Sequence, residues 1–118
     1  MKLASRIKKV RQISPIEWEL EIDAKTLISF KIDNKIKKIL KDLAQKKGMS
    51  LSDLIREALK EEIKEIKRLG SGVTISLWIR YDQLREIDEL ARQKGRDRTD
   101  IIHSKIAQYL EKEGIMIG

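Results

Sequence analysis

Few side chains in this 118-residue sequence are suited to catalysis. The sequence has no Cys, and its single His, His103, has no acid or nucleophile in a recognisable pattern around it. Without thiolates there is no disulfide, no thiolate metal site and no Cys nucleophile, and one imidazole does not make a zinc or haem site. No glycine-rich phosphate loop is visible either. We therefore predict no catalytic residues, no metal and no cofactor, and a structural or solvated role for His103.

The most abundant functional side chains in the sequence are those of Lys and Arg. Lys and Arg number 26 against 19 Asp and Glu, so the net charge is +7 and the isoelectric point is near 9.7. This balance favours nucleic acid as a partner, although an acidic protein or a membrane surface would suit the same charge. The charge is uneven: residues 1–12 have five basic and no acidic residues, 26–66 have ten against seven, and 73–114 have eight of each. The N-terminal half therefore holds most of the candidate electrostatic contacts.

Length and hydropathy limit the class of protein. No run of 18 apolar residues occurs, and the segment MKLASRIKKVRQ lacks the apolar core of a signal peptide. We expect a soluble, intracellular, cytoplasmic protein with no membrane partner. A chain of this length forms one domain or two very small ones, and segments of about 40 residues need a partner to bury enough apolar surface.

An internal repeat organises the chain, because a shift of 47 residues superimposes 26–66 on 73–113. We interpret 1–25 as a basic arm with an acidic alternating strand at 16–22, 67–72 as a glycine-containing linker, and 114–118 as a tail. The first-repeat residues that recur unchanged 47 positions later are Ile28, Ser29, Ile32, Leu43, Ala44, Lys47, Gly48, Asp53 and Ile55.

In each repeat the spacing of the apolar residues changes once, from every second residue to the spacing of a helix. Alternation at the start, rich in β-branched residues, predicts a half-buried strand. Helical spacing follows, ending at Gly48 or Gly95, where a left-handed residue would stop a helix. We predict Asp33 as the N-cap of the first helix, and a second helix after each glycine, capped by Ser52 or Thr99. In the first repeat the apolar spacing continues to residue 66.

One strand alone leaves its backbone groups and its apolar face unsatisfied. Two repeats solve this by pairing their strands antiparallel over four packed helices, which predicts a mostly α fold with short β. The polar outer face of such a two-stranded ribbon fits the major groove of B-DNA. Pairing within one chain and pairing between two chains both stay open, since a six-residue linker spans at most about 20 Å while a 15-residue helix travels about 22 Å.

Both repeats, 26–66 and 73–113, resemble the ribbon-helix-helix (MetJ/Arc/CopG-type) DNA-binding family. The matching residues lie at equivalent positions of the two repeats. The family's spacing from the last strand residue to the interhelical glycine is present from Ile32 to Gly48 and from Ile79 to Gly95. The turn 48–55 is similar to the family's glycine-led start of the second helix, and the turn after Gly95 is a looser match. Tandem forms of this fold resemble regulators of archaea and archaeal viruses, which implies a host cytoplasm if the gene is viral.

The resemblance implies two sets of DNA contacts. Outward ribbon residues would read bases: Leu27, Ser29, Lys31, Thr74, Ser76 and Trp78. The start of the second helix and its flanking cations would bind phosphate: Lys46, Lys47, Ser52, Asp53, Leu54, Lys94, Arg96, Arg98, Thr99, Asp100 and Ile101. Leu27 and Trp78 depart from the family's polar readers, so the second strand would read shape or methyl groups, be degenerate, or serve assembly.

We therefore expect a sequence-specific regulator of transcription that binds double-stranded DNA as a homo-oligomer and acts as a repressor, with no small-molecule ligand. An antitoxin-like protein that also neutralises a partner, a non-specific architectural DNA-binding protein, and an interaction scaffold are the alternatives. Residues 1–12 would be a DNA-backbone arm or a short amphipathic helix. We expect the acidic strand 16–22 to pack away from the DNA-facing ribbon or to mediate oligomerisation, because its carboxylates would repel phosphates.

Overall fold

The structure is a computed structural model that describes residues 24–117. The predicted basic arm 1–12 and acidic strand 16–22 lie outside the described residues. No helix within 24–117 is long and apolar enough to cross a membrane. The elements in chain order are β1 (Lys25–Ile32), α1 (Asn34–Lys47), α2 (Leu51–Ala58), β2 (Val73–Arg80), α3 (Tyr81–Lys94) and α4 (Arg98–Lys112).

The two strands form one antiparallel sheet. Their register runs from Lys25 opposite Arg80 to Ile32 opposite Val73. The fold is thus mostly helical with a two-stranded antiparallel ribbon, as predicted. In this structure both strands belong to the same chain.

A single hydrophobic core lies under the ribbon. Side chains alternate along each strand, so every second residue points inward, and these inward residues are buried at both β1 and β2. Helix α4 contributes the most buried residues to this core, α1 and α2 contribute three each, and α3 contributes only Ile87. The buried strand residues are Ile28, Phe30, Ile32, Ile75, Leu77 and Ile79.

Helix α2 is shorter than predicted. It ends at Ala58, so the predicted helix to residue 66 is wrong, and residues 59–72 form an irregular connection between α2 and β2. The apolar residues behind the prediction still contact the core: Leu59 is buried, and Ile63 and Ile66 pack against it without a helix. Fourteen extended residues span up to about 46 Å, so the connection readily returns the chain to the start of β2.

Hydrogen bonds hold this connection in place. The backbone N–H of Lys67 donates to Ser104 Oγ (2.9 Å), and the N–H of Leu69 donates to His103 Nδ1 (2.9 Å). The N–H of Asp33 donates to the carbonyl of Leu69 (2.8 Å). The connection is therefore fastened to α4 on one side and to the junction of β1 with α1 on the other.

The second helices begin earlier than predicted. Ser52 and Thr99 are not N-caps; Ser50 and Asp97 are. The Ser50 hydroxyl accepts from the Asp53 N–H at 3.0 Å, and the Asp97 carboxylate serves α4 in the same way. Ser and Asp are both preferred N-cap residues, because their side-chain oxygens accept from the free N–H groups of the first turn.

Two glycines end the first helix of each strand–helix–helix unit, as predicted. Gly48 has φ of 70° and Gly95 has φ of 64°, the left-handed conformation that residues with a Cβ rarely adopt. Asp33 caps the start of α1, where its carboxylate accepts from the Lys35 N–H at 2.7 Å. These predictions are confirmed.

Candidate nucleic-acid interface

The outward-facing side chains of β1 and β2 form a continuous surface, here called the outer ribbon face. The register places the six predicted base-reading residues on it as three cross-strand pairs, and all six are exposed. The pairs are Leu27 with Trp78, Ser29 with Ser76, and Lys31 with Thr74. The structure thus brings the whole predicted set together, while their contact with DNA bases stays a prediction.

The centre of the outer ribbon face is polar and self-complementary. The hydroxyls of Ser29 and Ser76 lie 2.7 Å apart, and either can be the donor. Each hydroxyl has one proton and two lone pairs and can rotate. The centre of the ribbon therefore offers both donor and acceptor groups.

One end of the outer ribbon face is apolar. Leu27 is 52% exposed and Trp78 opposite it is 55% exposed. Tyr81, which follows β2 directly at the start of α3, is 50% exposed. Removing apolar surface from water is favourable by about 25 cal/mol per Å², so a partner that covers these side chains is stabilised by the contact. This end of the ribbon is thus suited to an apolar contact.

Sequence reasoning missed a cationic pair at the edge of this face. Lys25 lies opposite Arg80, next to the pair formed by Leu27 and Trp78, and both side chains are exposed. Lys25 fell outside the repeat, which was taken to start at residue 26. Arg80 forms an ion pair with Asp82. The signal that could have found them is the strand alternation itself, which continues to both residues.

Side chains on α2 and α4 form hydrogen bonds to backbone carbonyls of the two strands. Arg56 on α2 donates to the carbonyl of Trp78 at 2.6 Å. His103 on α4 contacts the carbonyl of Lys31 through Nε2 at 2.8 Å. Each second helix thus binds the strand of the other unit, at a residue whose side chain lies on the outer ribbon face. Neither contact was predicted, because both depend on the register.

The hydrogen bonds of His103 define its tautomer. Because Nδ1 accepts from the Leu69 N–H, Nε2 carries the proton and donates to the Lys31 carbonyl. Burial lowers the pKa of His103, opposed by the hydrogen bond to Lys31. The imidazole is 3% exposed, so the structural alternative of the sequence-based prediction is confirmed.

The start of α2 leaves two backbone donors without an intrahelical partner. The Asp53 N–H donates to Ser50 Oγ (3.0 Å), and the Leu54 N–H donates to the Ser50 carbonyl (3.0 Å). The N–H groups of Leu51 and Ser52 come first in the helix and have no carbonyl four residues back within it. The positive end of the helix dipole lies at these two groups.

Helix α4 begins in the same way. The Asp100 N–H donates to the Asp97 carboxylate (3.1 Å), and the Ile101 N–H donates to the Asp97 carbonyl (3.3 Å). The groups without an intrahelical partner are the N–H groups of Arg98 and Thr99. Of the residues predicted to bind phosphate, Ser52, Arg98 and Thr99 therefore have backbone N–H groups without an intrahelical partner, whereas the N–H groups of Asp53, Leu54, Asp100 and Ile101 donate to the N-cap residues.

Three of the predicted phosphate-binding cations, Lys47, Arg96 and Arg98, form ion pairs within residues 24–117. Lys47 Nζ lies 2.9 Å from Glu113 and 5.5 Å from the centre of the Tyr109 ring. The hydrogen bond to Glu113 raises the pKa of Lys47, with Tyr109 second. Arg98 forms two hydrogen bonds to Asp88, at 2.9 and 3.1 Å. A phosphate would have to compete with these carboxylates.

Arg96, Lys46 and Lys94 differ in their surroundings. Arg96 lies 3.9 Å from Asp100, a buried carboxylate that also accepts from Arg68 at 3.1 Å. Lys46 and Lys94 are exposed, and neither forms an ion pair within residues 24–117. Lys46 and Lys94 are thus the cations of this set best placed to meet an external anion.

One cation is removed from the surface altogether. Lys105 on α4 is 1% exposed, and its Nζ donates to the Glu61 carbonyl at 2.7 Å. Glu86 lies 3.8 Å away. Burial lowers the pKa of Lys105, opposed by Glu86 and then Glu61. Lys105 therefore joins α4 to the connection after α2 and adds nothing to a DNA-binding charge.

The fold and this surface define a class: a ribbon of two antiparallel strands with an exposed outer face, packed on helices α2, α3 and α4. A scan of family models matches residues 26–65 to the ribbon-helix-helix proteins of the copG family. These residues, which contain α1, α2 and all but the first residue of β1, therefore belong to the ribbon-helix-helix family, whose members are generally DNA-binding regulators of transcription. No curated protein and no solved structure matched the chain.

Proposed function

We propose that this protein is a sequence-specific regulator of transcription that inserts its outer ribbon face into the major groove of double-stranded DNA. The observation that carries the proposal is the register, which places all six candidate reading residues on one exposed face. A two-stranded ribbon fits a groove about 12 Å wide, where the four base pairs present different donor and acceptor patterns. The ribbon-helix-helix match of residues 26–65 supports the same assignment.

The pairs on the face suit different base edges. The ammonium of Lys31 donates to the O6 and N7 acceptors of guanine. The hydroxyls of Ser29, Ser76 and Thr74 donate to or accept from either kind of edge. Trp78, with Leu27 opposite it, suits the C5-methyl group of thymine. In this proposal one part of the outer ribbon face contacts hydrogen-bonding groups of the bases, and another part contacts thymine methyl groups.

Phosphate contacts orient the ribbon in this proposal. The N–H groups of Leu51 and Ser52 on α2, and of Arg98 and Thr99 on α4, offer two anion-binding helix starts. Lys46, at the end of α1, adds charge that favours all sequences equally and weakens with salt. Lys94 does the same for the second unit, which we infer to be a second ribbon-helix-helix unit because it repeats the order of strand, helix and helix.

The biological role we infer is repression. A protein bound in the major groove of a promoter blocks access of the polymerase to the same DNA. One ribbon covers only a short site, so we infer that several copies of the chain assemble on a longer operator.

Selection of bound duplexes from a random library tests the proposed function. We expect Lys31→Ala and Ser29→Ala to relax the base preference at one or two positions of the site. For Lys31 the expected loss against the best sequence is about 1 to 3 kcal/mol. Lys38→Ala is the matched control, since Lys38 is an exposed lysine that belongs to α1 and not to the ribbon, and it should keep the selected sequence.

Two outcomes would contradict the proposal. Equal enrichment of all sequences, with affinity set by salt alone, would show a non-specific architectural protein. An unchanged base preference in both ribbon variants would show that another surface reads the DNA.

A further inference from the structure

The ribbon has a pseudo-two-fold axis that the register locates. Ser29 and Ser76 are related by the 47-residue repeat, and they also lie directly opposite each other. A residue that pairs with its own repeat partner lies on the axis that exchanges the two units. The hydrogen bond between Ser29 and Ser76 therefore marks the centre of the reading face.

The side chains around this axis are not symmetric. The repeat partner of Leu27 is Thr74, and the repeat partner of Lys31 is Trp78. Two identical strands would present one Leu and one Lys at each end of the ribbon. In this chain Leu27 meets Trp78 at one end, and Lys31 meets Thr74 at the other. The replacement of Leu by Thr74 and of Lys by Trp78 in the second strand therefore gives the ribbon one apolar end and one polar end.

The surroundings of the two ends differ in the same way. The apolar end is bordered by Lys25 and Arg80 on the ribbon and by exposed Tyr81. Beyond the polar end, β1 is followed by Asp33, whose carboxylate is used to cap α1. The apolar end thus has Lys25, together with Arg80 in its ion pair with Asp82, whereas the polar end has the carboxylate of Asp33 at the repeat position that matches Arg80.

We infer that the reading face is directional: one chain binds a non-palindromic DNA site in one orientation, with thymine methyl groups facing Leu27 and Trp78 and guanine facing Lys31 and Thr74. This inference rests on the proposed function. The chemistry of the two ends makes the orientations unequal. Each thymine methyl that is covered contributes about fourfold in affinity, and a Lys contact to guanine contributes about tenfold. Reversing the chain on its site loses both, which predicts an orientation preference of about fortyfold or more.

The first test compares the wild type with a symmetrised ribbon. Thr74→Leu combined with Trp78→Lys gives β2, on either side of Ser76, the outward residues that β1 has on either side of Ser29, while Lys25 and Arg80 at the edge of the ribbon are unchanged. Both chains are used to select from random duplexes short enough to bind one molecule. We expect an asymmetric site for the wild type and a palindromic site for the double variant. A palindromic wild-type site would overturn the directional inference while leaving the proposed function intact.

The second test modifies only the DNA, so it does not depend on the folding of a variant. In the selected site, thymine is replaced by uracil, which removes the methyl, or guanine by 7-deazaguanine, which removes N7. We expect uracil to weaken binding about fourfold per methyl in one half-site only, and 7-deazaguanine to act only in the other half. Equal losses in both halves would overturn the inference.

The third test reads the orientation directly. The sequence has no Cys, so a cysteine introduced by Lys25→Cys carries a single DNA-cleaving iron chelate at the apolar end, and one introduced by Lys35→Cys carries it near the polar end. We expect each chelate to cut on one flank of the site, and the two flanks to be opposite. Cutting on both flanks by either chelate would overturn the single orientation. Failure to prefer any duplex would instead overturn the proposed function.

Discussion

His103 occupies a position where three parts of the chain meet. Its imidazole lies on α4, accepts from the connection at Leu69 and donates to β1 at Lys31. The ring of Phe30 packs edge-on against it at 6.2 Å. An imidazole that accepts at Nδ1 and donates at Nε2 must be neutral, and the burial of His103 favours the same neutral state.

Because His103 is buried in its neutral form, we expect the free energy of unfolding to fall in mild acid. Its folded-state pKa lies below the ordinary value of 6.5, so the unfolded chain takes up a proton first as the pH falls. The stabilisation is complete above about pH 6.5 and is lost progressively below it. We expect the melting temperature to fall between pH 7.5 and pH 5.5. In His103→Gln, which does not titrate, this part of the pH dependence should disappear; an identical pH profile in the variant would contradict the prediction.

The residues on the outer ribbon face were predictable, whereas their supports were not. Strict alternation places Ser29, Lys31 and Ser76 on one side of a strand without any knowledge of the fold. The contact from Arg56 to Trp78 requires the pairing register and the approach of α2, which no local pattern contains. The same holds for His103, whose lone occurrence in the sequence indicated only the absence of a catalytic set.

At the scale of elements, the connection 59–72 is the feature that departs most from expectation. Apolar residues at helical spacing predicted a helix to residue 66, but their burial is achieved by an irregular segment. Periodicity reports which residues are buried and cannot alone distinguish a helix from a segment that packs irregularly. The requirement to reach the start of β2 from the end of α2 decides between the two.

Gly70 is the position at which this connection is most sensitive to substitution. It has φ of +77°, and an added Cβ would lie 3.1 Å from the Cβ of Asp33. Gly114 has a similar φ of +81° with nothing within 4 Å, so it is a matched control. We expect Gly114→Ala to cost about 1 kcal/mol for the left-handed backbone, and Gly70→Ala to cost about 1 kcal/mol more, because crowding moves the cap of α1. Urea unfolding of both variants measures the difference; equal losses would contradict this account.

At the scale of the whole molecule, one chain completes the ribbon and the core. Each unit buries its inward strand residues against helices that include those of the other unit, since α4 contacts β1 and α2 contacts β2. The length limit from the sequence predicted this mutual dependence. The choice of partner within the same chain was not predictable, because it depends on where α2 ends.

Intrachain pairing predicts that unfolding does not depend on protein concentration. A fold that needs a second chain becomes more stable as the concentration rises, by mass action. We expect the same melting temperature at 2 µM and at 200 µM, a range over which a tightly coupled dimer would shift by several degrees. Sedimentation at both concentrations provides the control. A melting temperature that rises with concentration would show that strands pair between chains.

The antiparallel pairing of two non-identical strands also affects how binding specificity changes by mutation. In a homodimer made from one gene, every codon is expressed at both ends of the ribbon, so a single mutation alters two contacts at once and a new site must change at two places. Here Lys31 and Trp78 are encoded by two different codons, which mutate independently of each other. If the outer ribbon face reads DNA as proposed, one nucleotide change in the gene alters one contact, and the protein and its binding site then diverge by single steps.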